Sequence, residues 1–132
     1  MLSQNNIEFL GSLPRQEVVK NLSKAKALIF PGVEDFGIVP LESMASGTPV
    51  IAYREGGVLE TLNENTSEFF SSPEEKSLNQ AIDRFEKRDF FHGDLVQRAN
   101  DFSKETSATA RIWSTMASKV YCFNSSGHGL LP

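Results

Sequence analysis

The sequence predicts an α/β fold, a parallel sheet of about four strands with flanking helices, and three observations carry that reading. Short apolar runs closed by turn residues recur, Ala27-Leu28-Ile29-Phe30 before Pro31-Gly32 and Val50-Ile51-Ala52 after Pro49, as in strands buried on both faces. Between them lies a helix-period stretch with Ile38, Leu41 and Ala45 on one stripe and Gly47 at its end. The resulting order of strand, loop, helix and strand is a βαβ crossover, and the same alternation continues on either side of it.

Ile7-Glu8-Phe9-Leu10-Gly11 reads as a short first strand, and Ser12-Leu13-Pro14 as a turn. A helix follows from Pro14 to about Lys24, with Val18, Val19 and Leu22 apolar and the proline near its first position. In the helix after Ala27–Phe30, Pro40 is tolerated because first-turn N–H groups have no intrahelical acceptor. Gly47 marks a left-handed C-terminal cap. The next strand begins at Thr48, with Pro49 at a position where a missing donor does little harm. Arg54-Glu55-Gly56-Gly57 lead to a helix from Val58 to Asn63, on which Glu60 faces solvent or caps.

Glu68-Phe69-Phe70 reads as a fourth strand. Pro73 opens a helix running from about Glu74 towards Lys87, with Leu78, Ile82 and Phe85 core-facing and its Glu and Lys residues solvated. Leu95 to Phe102 forms another amphipathic helix. Ala110 to Tyr121 suits a last one, with Ile112, Met116 and Val120 aligned, and the stretch from Asn124 to Gly129 reads as a frayed tail.

At 132 residues the chain is expected to form one domain with one core. A net charge of −4 argues against a nucleic-acid face, which would show a basic stripe. No apolar run approaches the length of about 20 residues needed to cross a bilayer. MLSQNNIEFLG lacks the basic start and apolar block of a secretion signal. The single Cys122 cannot form an internal disulfide, and His92 and His128 alone make no metal-ligand cluster, so neither a metal nor a cofactor is expected. Ser125 and Ser126 with His128 lack a third partner and a strand-to-helix elbow, which excludes a hydrolase reading. A cytoplasmic location follows, with peripheral membrane association left open.

The chemistry concentrates in the loop from Pro31 to Gly37. In open α/β sheets ligands bind beyond the carboxyl ends of the strands, where helix N-termini point. The unpaired amides of that loop and the positive end of the helix dipole make an anion site there, and Gly37 permits close approach. Glu34 and Asp35 would repel a phosphate placed directly on them but would accept hydrogen bonds from neutral hydroxyls. A nucleotide-sugar carries both groups. The purely structural alternative makes Glu34 and Asp35 dipole complements, Glu42 a surface acid and Phe36 a core residue.

Glu34 and Glu42, with seven residues between them, sit within EDFGIVPLESMASGTPVIA. This resembles the E-x7-E motif of the retaining, GT-B fold glycosyltransferases of family 4, the group 1 family. IEFLG, ALIFPG and GGVLET match in the same order, and the likeness runs from about Ile7 to about Ser103. The resemblance implies a Rossmann-like, truncated C-terminal domain, with residues 1–105 as a partial nucleotide-sugar-binding domain and 106–132 outside it. It makes Glu34 the catalytic candidate, orienting the sugar, and has Glu42 accept the ribose hydroxyls. Asp35, Phe36, Gly37, Ile38 and Val39 line the donor site, Ser12 and Leu13 lie near the base, and Gly56 and Gly57 border the donor cleft. Plain βα turns explain the last two pairs equally well. FPGVEDFGIVPLE is closest to the mannosyltransferase-like members, which points to GDP-mannose as donor. Nucleotide-sugar epimerases share the architecture but fit the motif text less well.

The family's acceptor-binding half, which would hold a glycan or lipid-linked sugar, has no counterpart here, nor do the opening strands of its donor half. Those strands carry the basic clamp on the diphosphate; Arg15 and Arg54 are the nearest basic residues by loop position, and neither matches it. Two strands would normally separate the first strand from Ala27–Phe30. Direct pairing of those two strands, or self-association through an exposed sheet edge, is therefore expected. Where the family has a glycine before its fourth strand, Ser67 stands here. The alternative function is a non-catalytic nucleotide-sugar-binding or interaction module.

Overall fold

A computed structural model describes residues 7–9, 13–33, 38–102, 121–123 and 129–131; the side chains of 7–9, 38, 121–123 and 129–131 are outside that description. The chain runs β1 (Ile7–Phe9), α1 (Arg15–Lys24), β2 (Ala27–Phe30), α2 (Ile38–Ala45), β3 (Val50–Tyr53) and α3 (Val58–Thr61). It continues through β4 (Ser67–Phe70), α4 (Glu75–Glu86), α5 (His92–Asn100), β5 (Tyr121–Phe123) and β6 (Gly129–Leu131). The sheet order is β1-β6-β5-β2-β3-β4. β2, β3 and β4 are parallel, in the register Leu28↔Val50 and Val50↔Ser67.

Strands β2 and β3 alternate strictly, as a sheet covered on both faces requires. Leu28, Phe30, Val50 and Ala52 belong to one buried cluster with residues of α1, α2, α3 and α5. Ala27 and Ile51 belong to a second with Phe70 and with Ala81 and Phe85 of α4. Of the stripe expected on α4, Phe85 is buried, while Leu78 and Ile82 pack half-buried against the same cluster.

Two expectations are corrected. β1 does not pair with β2: β5 lies antiparallel against β2, and β6 lies between β5 and β1. The two strand positions that the resemblance leaves vacant are thus filled by the C-terminal pair, which takes up the ladder groups β2 would otherwise expose. Tyr121 therefore belongs to a strand rather than to a helix end, and Gly129 opens β6 rather than lying in a tail. The remainder of the expected helix from Ala110, and residues 124–128, lie outside the described residues. Because β6 runs parallel to β1 and, through β5, parallel to β2, the carboxyl ends of β1, β2, β3 and β4 face the same way.

The β4 edge is closed by side chains. Thr66 and Phe70 carbonyls accept from β3 and the turn after it, so those of Ser67 and Phe69 face outward. Arg88 Nη1 donates to Ser67 O at 3.1 Å and Arg84 Nη2 to Phe69 O at 2.8 Å. The same two guanidiniums grip Glu68, at 2.8 Å from Arg84 and 2.7 Å from Arg88. Burial alone would raise the Glu68 pKa, but the two arginines outweigh it and hold the carboxyl below its ordinary value. A folded value below the unfolded one means the stabilisation is complete above the usual carboxylate range and is lost as pH falls through the folded value. Replacing Glu68→Gln is expected to cost about 1–2 kcal/mol at pH 7, discounted for the exposure of both arginines. Paired thermal melts should show that gap closing towards pH 3, and an equal gap at both pH values would refute the assignment. Ser67 itself is buried, its hydroxyl 3.1 Å from Thr66 Oγ1, so its side chain is satisfied.

Among the described residues no helix is long and apolar enough to cross a membrane.

Candidate functional site

The carboxyl ends of β1, β2 and β3 lie on one side of the sheet, and α2 follows β2 in the chain. α2 packs against the sheet, α1, α3 and α5 together. Its burial therefore differs from a single stripe: Val39, Leu41, Glu42, Ser43 and Met44 are all buried, and Ala45 is exposed. A helix enclosed on several sides needs apolar groups around most of its circumference. Pro40 is its third residue, within the first turn as expected.

Glu42, the fifth residue of α2, is 6% exposed, so it is not a surface acid. Its Oε1 accepts a hydrogen bond from Arg15 Nη2 at 2.9 Å. Arg15 is the first residue of α1 and reaches across from the β1–α1 turn, its side chain half in solvent. A buried carboxylate without a partner would be costly, and this cation supplies one. Sequence reasoning placed Arg15 near the mouth but did not connect it to Glu42. The available signal was electrostatic: a cation in the first turn opposes the helix dipole, and such a residue suggests a partner elsewhere.

The other candidates divide clearly. Glu34, Asp35, Phe36, Gly37 and Ser12 lie outside the described residues. Ile38 opens α2 through its backbone, and Val39 is buried in the core, leaving its backbone for any ligand contact. Leu13 is half-buried against the same core cluster. Gly56 has φ +85°, a conformation that favours glycine, whereas Gly57 is the right-handed N-cap residue of α3. Of the two readings of that pair, Gly56 serves as the special turn position and Gly57 as the plain helix entry. Arg54, in the same loop, is exposed and lies 4.9 Å over the Phe69 ring.

Chemically, the described part of the site offers one buried carboxylate held by a half-exposed guanidinium. A carboxylate so held can accept hydrogen bonds from hydroxyl donors.

Parts of known proteins are similar in sequence to this chain. It is 34% identical over 80 residues to the human alpha-1,3/1,6-mannosyltransferase ALG2, covering 60% of this chain and 19% of that protein. The O-antigen chain mannosyltransferase RfbU of Salmonella typhimurium is 32% identical over 100 residues, 75% of this chain and 27% of that protein. A Corynebacterium glutamicum protein named as a GDP-mannose-dependent monoacylated alpha-(1-6)-phosphatidylinositol monomannoside mannosyltransferase is 39% identical over 69 residues, 46% of this chain and 18% of that protein. The chain thus spans only a minor part of the length of each relative. A family model described as glycosyl transferases group 1 matches residues 2–107, and the chain belongs to that family.

Proposed function

We propose that this chain is the donor-binding part of a retaining glycosyltransferase, which moves a hexosyl group from a nucleotide-sugar to an acceptor hydroxyl. Buried Glu42, on the helix that follows the β2 loop, is the observation that supports this best. In this reading Glu42 accepts the ribose hydroxyls and Glu34 orients the sugar. The amides of Phe36, Gly37 and Ile38 take the charge that develops on the departing diphosphate, with no metal ion needed. Asp35, Val39, Ser12, Leu13, Gly56 and Gly57 complete the donor surroundings. The acceptor attacks from the face the diphosphate leaves, so no protein nucleophile is assigned. GDP-mannose is the favoured donor, supported by the relatives' names and by the stretch FPGVEDFGIVPLE. The acceptor, a glycan or lipid-linked sugar, would be held by a part of the enzyme not represented in residues 1–132.

Titration of the chain with GDP-mannose, and with UDP and ADP sugars, by calorimetry tests the reading. Glu42→Ala is expected to weaken binding at least about tenfold, since truncation removes the acceptor of two hydroxyl donors. Equal affinity in wild type and Glu42→Ala would defeat it. A non-catalytic binding module shares the same site, and the small share of each relative's length covered here motivates that second reading. Sugar transfer by the purified chain would eliminate the module reading.

A further inference from the structure

We infer that Arg15 is a positioning residue for the nucleotide's ribose, fixing the Glu42 carboxylate so that its second oxygen is presented to a vicinal diol. The inference rests on the proposed role of Glu42 and adds a residue to it.

Local folding does not account for Arg15. It begins α1 at the positive end of the helix dipole, the place where a cation is least favoured. Its neighbour Pro14 supplies no side-chain cap, and Glu17 is the first-turn acid that complements the dipole. A turn that had only to start a helix would do better with Ser, Asp or Glu at this point. The guanidinium is committed instead to a residue 27 positions away in another helix.

The geometry shows what that commitment accomplishes. Arg15 Nη2 holds Oε1 at 2.9 Å, and among the described residues no second donor reaches the Glu42 side chain. One oxygen is pinned, which sets the rotation of the carboxylate, and the other keeps its lone pairs for a ligand. Each carboxylate oxygen can accept two hydrogen bonds, so Oε1 can also share one with the diol. The exposures match the roles: 8% for the Glu42 side chain, 48% for that of Arg15. The carboxylate is held at depth and the cation stands at the rim.

Calorimetry with GDP, UDP and ADP, each beside its 2′,3′-dideoxy counterpart, isolates the diol contact. Wild type should prefer the hydroxylated form of the nucleotide it binds by about tenfold or more. Arg15→Gln should reduce that preference to about threefold or less while leaving the dideoxy affinity nearly unchanged. Equal weakening of both forms would mean a merely structural role, and an undiminished preference would mean no role; either overturns the inference. Glu42→Ala keeps the two ideas apart. Loss of preference there but not in Arg15→Gln removes Arg15 alone, whereas retained preference, or no binding by wild type, removes the ribose reading and this inference with it. Should Arg15→Gln fail to fold, Arg15→Lys decides. Its shorter side chain still supplies a cation for the buried carboxylate but does not reach Oε1 from the position of Nη2, so about a threefold fall supports the inference and an unchanged preference refutes it.

Discussion

Leu28→Ala should cost about 3–4 kcal/mol, near the middle of the range for emptying a fully buried leucine site. Leu28 has no exposed surface, and its backbone is hydrogen-bonded into the sheet between β3 and β5. A strand tied on both sides cannot slide into the space that a shorter side chain leaves, so most of the cavity should persist. That cavity opens in the cluster that contains Val39, Leu41 and Met44 of α2, the helix that carries Glu42. The substitution should therefore act twice, lowering the urea midpoint and weakening the proposed nucleotide binding in the molecules that remain folded. Urea unfolding followed by fluorescence measures the first effect. A loss under about 1 kcal/mol would mean that the core closes over the gap and that the sheet is less rigid than its pairing implies.

Local signals made the parallel centre of this fold legible. Ala27–Phe30 ends where its apolar run ends, and α1 and α4 come within a residue or so of the limits their punctuation implies. β3 starts one residue after Pro49, because the strand's ladder needs N–H donors that proline lacks. The motif around Glu42 was equally visible, since it is a run of neighbours along the chain. Contacts between distant segments were not. Tyr121-Cys122-Phe123 and Gly129-Leu130-Leu131 are three residues each, too short for any periodicity, and β5 finds its partner in β2 some ninety positions away, by roughly the span of an average domain. Arg15 and Glu42 meet because α1 and α2 pack together, and nothing within either helix announces the meeting. The burial of Ser43 and Met44, off the expected stripe, has the same origin: α2 answers to α1, α3, α5 and the sheet at once.

Gly47 combines both kinds of information, and Gly47→Ala is expected to cost about 2–3 kcal/mol. The chain reverses there out of α2 with φ +81°. Thr48 N donates to Ser43 O and Gly47 N to Met44 O, each at 2.9 Å, which is the paired bonding of a Schellman cap. A side chain in that left-handed conformation costs about 1–2 kcal/mol by itself. The remainder comes from α5, because a Cβ at Gly47 would lie 2.3 Å from Nδ1 and 2.4 Å from Cε1 of His92. No contact that short survives, so either the ring or the helix that carries it must move. A double-mutant cycle separates the two contributions. In a His92→Ala background the cost of Gly47→Ala should fall to about 1–2 kcal/mol, the backbone share alone. Identical costs in both backgrounds would show that the imidazole swings aside freely and that α5 does not constrain the cap. No cost in either would show that α2 can end without its left-handed residue. The cap matters to the site because Ser43 and Met44, whose carbonyls it satisfies, directly follow Glu42. Fraying that last turn would loosen the carboxylate as well as the fold, so the affinity ratio between ribose and dideoxyribose nucleotides should narrow in Gly47→Ala and recover partly when His92 is also removed.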